Sequence, residues 1–75
     1  MTLAELPMGK TGVISEVKGE GAMRNRLLDM GLIPDTRVTV EKAAPMGDPI
    51  ELLVRGYRLS LRLGDAKNIN IGETV

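Results

Sequence analysis

The amino-acid sequence predicts an all-β fold: a small barrel of five short strands, with one short helix between the first and second. Three observations carry that prediction. Alternating apolar and polar residues recur in strand-length segments, glycine and proline punctuate the chain between them, and one stretch of good helix formers lies in the first half. An α/β layer fold would need more helices than this chain supplies.

The clearest segment is Tyr57 to Leu63, in which Tyr57, Leu59, Leu61 and Leu63 alternate with Arg58, Ser60 and Arg62. That period predicts a half-buried strand, one face in the core and the other in water. Just upstream, Ile50, Leu52 and Val54 alternate with Glu51, Leu53 and Arg55, and Gly56 stands where a tight turn needs a residue free of steric limits on φ. The two segments predict a hairpin. Arg37 to Lys42 repeats the scheme with Val38 and Val40 inward, and the stretch from Ala43 to Pro49 forms a longer, proline-bounded loop into the next strand. β-Branched Val13, Ile14 and Val17 within Gly12 to Lys18 supply the first strand, and Ile69 and Ile71, alternating with Asn68 and Asn70, supply the last. The helix is expected over Ala22 to Met30, after Gly19-Glu20-Gly21 and before the stops at Gly31 and Pro34.

Seventy-five residues are expected to form one domain, 1–75, since a chain this short buries only about 60% of the surface its unfolded form exposes. With no Cys for disulfides, and neither Cys nor His for a structural zinc, the core has to come from aliphatic packing. Ten basic and ten acidic side chains cancel, leaving no whole-molecule field to attract nucleic acid or an anionic membrane. Tyr57, the only aromatic residue, is too little for base stacking, and Arg55, Arg58 and Arg62 are expected to face Glu41 and Glu51 across strands. No apolar run approaches the roughly 20 residues that span a bilayer, and Met1 to Lys10 lacks the basic and apolar regions of a signal peptide. The expectation is a cytoplasmic protein that does not insert into membranes.

The residue inventory also bounds the chemistry. A chain without His or Cys cannot build a Ser-His-Asp or Cys-His nucleophilic site, and its serines, Ser15 and Ser60, fall within predicted strands. The ten carboxylates are scattered and read as solvated surface charge. Thioethers of Met8, Met23, Met30 and Met46 read as packing rather than metal ligands. No catalytic residue, metal ligand or cofactor is expected. Gly19-Glu20-Gly21 ahead of the helix lacks the third glycine of a dinucleotide fingerprint, Arg24 standing in its place, and reads as a turn.

Leu27-Leu28-Asp29-Met30-Gly31-Leu32-Ile33-Pro34, then Ala44-Pro45-Met46-Gly47-Asp48-Pro49, then Leu59-Ser60-Leu61-Arg62 stand in an order and spacing that resembles the ferrous iron transport protein A (FeoA) family. The likeness runs from about Leu6 to Ile71. It departs at Asp35, where the family commonly has glycine, and at Ser60, where a small apolar residue is more usual. If that glycine takes a positive φ, aspartate tolerates it better than most residues. The resemblance implies an SH3-like barrel and an accessory role in bacterial ferrous iron uptake, at the cytoplasmic side of a FeoB-type transporter that carries a GTPase domain. The same fold is similar to the C-terminal domain of iron-dependent repressors, so an alternative is a small-ligand or transcription-regulator accessory domain.

Helical spacing puts Met23, Leu27 and Met30 on one stripe, expected to pack on the barrel. Leu28 falls about 100° away from Leu27, on the side of Arg24. A leucine beside an arginine on an outward flank suits a protein contact. Pro45 and Met46, on a stiff loop, suit insertion into a partner's groove. Arg24, Leu28, Pro45 and Met46 are thus the candidate partner-binding residues, toward the transporter's cytoplasmic region or another copy of this chain.

Overall fold

The computed structural model describes residues 1–75. Five antiparallel strands form one sheet: β1 (Thr11–Val17), β2 (Arg37–Ala43), β3 (Ile50–Val54), β4 (Tyr57–Leu61) and β5 (Ile69–Thr74), in the order β4-β3-β2-β1-β5. Helix α1 (Gly21–Asp29) joins β1 to β2, as the run of helix formers predicts. The expected meander is β2-β3-β4. Its tight turn holds Arg55 at φ 49° and Gly56 at φ 84°, the paired positive values that match the twist of a two-residue hairpin.

The sheet curls because its ladders are irregular. β1 pairs with β2 only over Thr11 to Val13, but with β5 as far as Val17, with register shifts after Val13 and Ile14. A further shift between Val40 and Lys42 makes Glu41 the extra residue of a bulge in β2. Each irregularity adds local twist and bends the strand, which wraps the inward residues around one core. Ile14, Val38, Leu52, Val54 and Ile69 are fully buried there, joined by Leu3 from an N-terminal 3-10 turn (Leu3–Glu5), Leu27 from α1 and Leu32. In that turn the Thr2 N–H donates to Glu5 Oε1 at 2.6 Å. The bond holds the Glu5 carboxyl below the ordinary carboxylate range.

Asp35 adopts φ 71°, so the residue standing in the family's glycine position does take the left-handed conformation, and its N–H donates to the Ile14 carbonyl at 2.7 Å.

Two expectations change. The strand expected to run to Leu63 ends at Leu61, and Leu63 opens a four-residue helix, α2 (Leu63–Ala66), that leads into β5. The cause lies far away in sequence: Asp48 Oδ1 accepts the Leu63 N–H at 3.0 Å and supplies the cap that Arg62 does not. Asp48→Ala is expected to lower stability by about 1 kcal/mol, read as an earlier urea midpoint; an unmoved midpoint would show that water replaces the cap. Tyr57, expected inward, is 43% exposed. Its hydroxyl donates to the Met30 carbonyl at the end of α1, so the ring spans from barrel to helix instead of entering the core.

Candidate functional site

The loop between β2 and β3 is closed at its base by the Ala44 N–H donating to the Pro49 carbonyl at 3.0 Å. Inside it, the Gly47 N–H donates to Ala44 O at 2.7 Å, and Gly47 has φ 84°. These bonds hold the backbone and leave the tip outside. Pro45 is exposed and Met46 is 91% exposed, the largest exposure of any large apolar side chain in the chain. A thioether held in water on a hydrogen-bonded loop gains about 25 cal/mol per Å² of apolar area that a partner covers, and little ordering entropy is lost.

The helix flank is less open than its spacing suggests. Leu28 is half-buried and packs against the core, so it is not a free apolar anchor. Arg24 is exposed, yet its Nε donates to the Val17 carbonyl at 3.0 Å, fastening the first turn of α1 to the end of β1. Leu27 is fully buried and Met30 is half-buried against the core, as expected of the stripe, whereas Met23, half-buried, lies outside that cluster, its sulfur accepting from Asn68 Nδ2 at 3.8 Å. Arg24 and Leu28 share no hydrogen bond or surface hollow with Pro45 and Met46.

A feature that the sequence reading passed over lies beside β4. Shallow hollows run together along it. One of about 450 Å³ is lined by Asp48, Pro49, Ser60 and Arg62. The next, about 530 Å³, is lined by Arg26, Met30, Ser60, Leu61, Arg62 and Asp65. The alternating pattern of β4 marks Ser60 and Arg62 as water-facing; it cannot say that the strand lies at the sheet's edge.

The charges along this trough are mostly committed. Arg26 pairs with Asp65 at 3.0 Å, and Arg58 pairs with Glu41 at 2.6 Å and with Glu51 at 3.9 Å, as the cross-strand expectation has it for that arginine. The bond that Arg58 Nε donates to Glu41, aided by the carboxylate's charge, pushes the Arg58 guanidinium further above its already high range. Arg55 turns instead to the Thr36 hydroxyl at 3.1 Å, and Arg62 has no partner. The carboxylates nowhere gather in threes. No helix is long and apolar enough to cross a membrane.

Comparison with known proteins gives these features a context. The FeoA domain model matches residues 1–72. A fusion protein of Fe(2+) transport protein A with the Fe(2+) transporter FeoB, from Porphyromonas gingivalis, is 39% identical over 71 residues, which are 95% of this chain and 8% of the relative's length. The crystal structure of FeoA from Stenotrophomonas maltophilia complexed with zinc, a procaryotic SH3 domain protein, has a TM-score of 0.84 at 29% identity over 95% of this chain and 88% of that one. A manganese-dependent transcriptional repressor in complex with manganese reaches a TM-score of 0.89 at 18% identity, over 100% of this chain and 36% of the repressor, a likeness of fold alone. The five-stranded SH3-like barrel and the match along nearly its whole length make this chain a member of the FeoA domain family.

Proposed function

We propose that this chain is a non-catalytic accessory module of ferrous iron uptake, which binds the cytoplasmic, GTPase-bearing part of a FeoB-type transporter. The observation that carries the reading is the fusion of such a domain to FeoB in a relative, which keeps the two parts at high effective concentration. A chain with neither His nor Cys, and with an exposed apolar loop tip, is suited to contact rather than chemistry. Pro45 and Met46 supply the apolar centre of the contact, and the exposed Arg24 contributes from the helix, with Leu28 behind it as packing. Resemblance to the repressor, being of fold alone, adds no second function.

The test is a titration of the purified chain against the transporter's cytoplasmic region, and against the full-length transporter in detergent, with and without guanine nucleotide. Saturable binding is expected. Met46→Asp should weaken it by more than about 1 kcal/mol, fivefold or more in Kd. Its melting temperature should stay unchanged, because the side chain packs on nothing. Arg24→Glu also cuts the tie to Val17, so it needs the same stability control. Absence of binding to either form of the transporter by the folded chain would overturn the reading.

A further inference from the structure

The two edges of the sheet are treated differently. Along β5 the N-terminal residues lie against the outer side: Thr2 bridges to Asn70, and the Ile71 N–H donates to the Met1 carbonyl at 2.8 Å. Along β4 nothing does so. The hairpin register pairs Val54 with Tyr57, Leu52 with Leu59 and Ile50 with Leu61. A two-residue turn closes on a hydrogen-bonded pair, and such pairs alternate with pairs that do not bond each other. The N–H and C=O groups of Arg58 and Ser60 therefore point away from β3, and no other backbone or side-chain group meets them. Free donors and acceptors at this spacing are a template for another strand.

What surrounds the edge says which kind of strand fits. On the inner side, half-buried Leu59 and Met30 with buried Leu61 offer an apolar wall. On the outer side Arg58, Ser60 and Arg62 follow at strand period. The acidic groups nearby are already engaged, Glu41 and Glu51 with Arg58, Asp65 with Arg26 and Asp48 with the Leu63 N–H. Arg62 and Lys42 are the charged side chains here that bond to nothing, and Arg62 lines both hollows beside the edge. A second copy of β4 would bring its own Arg58 and Arg62 to the same face, arginine against arginine.

We infer that the free edge of β4 is a docking site for an extended segment of alternating apolar and acidic residues, added as a sixth strand on Arg58 and Ser60, with a carboxylate on the Arg62 guanidinium. The acidic side chains lie with Arg62 on the outer face and the apolar ones over Leu59. Main-chain bonds supply affinity, and the alternation supplies selectivity. The site uses the base of the loop, Asp48 and Pro49, rather than its Met46 tip, and does not depend on the partner being a transporter.

The probe is an acetylated, amidated heptapeptide alternating valine and glutamate, titrated at millimolar concentration into the isotope-labelled chain. Its lysine-for-glutamate counterpart runs in parallel. The expected result is saturable amide shifts confined to Arg58, Ser60 and their neighbours, with little response to the lysine peptide. Arg62→Glu should weaken binding about fivefold. Ser60→Pro removes one outward N–H, a change that an edge strand accommodates, and should abolish the shifts while the rest of the amide spectrum holds. If Ser60→Pro fails to fold, the glutamate peptide methylated on alternate backbone nitrogens tests the same bonds on the wild-type chain. Shifts scattered elsewhere, none at all, or equal response to both peptides would overturn the inference. So would sedimentation showing a dimer that Ser60→Pro dissolves, which would make a second copy the occupant. Transporter binding that survives Ser60→Pro would leave the proposed function standing and separate it from this edge.

Discussion

Leu27→Ala is expected to lower stability by about 2–5 kcal/mol, because it opens a cavity beneath the only long helix. Leu27 is 0% exposed and is the only buried residue among the nine of α1. Arg24, bonded to Val17, and Arg26, bonded to Asp65, fix the helix's direction, yet their exposed polar contacts each contribute little. A chain of this length holds about 4–11 kcal/mol in total, so the loss takes a large share of it. Urea titration should show a markedly lower midpoint. Leu28→Ala, truncating a half-buried neighbour, should move it much less. Equal shifts would mean that α1 is held along its whole side and not by one anchor.

The second large effect is expected at Gly12. A Cβ built there lies 2.6 Å from Ile71 Cγ2 and 3.4 Å from both Ile71 Cδ1 and Leu6 Cδ2, so the Ile71 and Leu6 side chains already fill the space that a side chain at Gly12 would need. Gly12→Val should cost about 1–3 kcal/mol by overpacking. Gly12→Ala combined with Ile71→Ala should cost less than the sum of the two single changes, since the added methyl takes part of the space that Ile71 leaves. Gly64→Ala is the contrast. Nothing lies within 4 Å of that Cβ, and the position is helical, so the variant should be neutral or gain up to about 1 kcal/mol. Thermal melts of the set decide it; a tolerated Gly12→Val would mean that the Ile71 and Leu6 side chains can move aside without loss.

Residue alternation made the strands legible because each buries one face. Val38 with Val40, and Ile50, Leu52 with Val54, point inward at the positions their period predicts. The same period misled at Leu63. A leucine two residues after Leu61 continues the pattern, whereas the cap from Asp48 that turns the chain into α2 comes from a loop 15 residues away in sequence. Tyr57 obeys the alternation in direction but not in burial, because a hydroxyl seeks a partner and finds it on the helix. Pro45 and Met46 were readable as a loop tip from glycine and proline placement alone. The ties of Arg24 to a strand carbonyl and of Leu28 to the core were not, since helical spacing gives a side chain's bearing and not what stands there. The β4 trough was hidden for a deeper reason: whether a strand is central or marginal depends on strand order, which no local pattern encodes.

The Tyr57 hydroxyl on the Met30 carbonyl also gives the molecule a built-in optical gauge. With no tryptophan or phenylalanine, and a single tyrosine, the near-ultraviolet signal arises from one ring bridging hairpin and helix. Any ligand, substitution or temperature change that unseats α1 alters the polarity and rotational freedom of that ring directly. Helix detachment and whole-chain melting can then be followed separately, tyrosine emission for the first and backbone dichroism for the second, without adding a label.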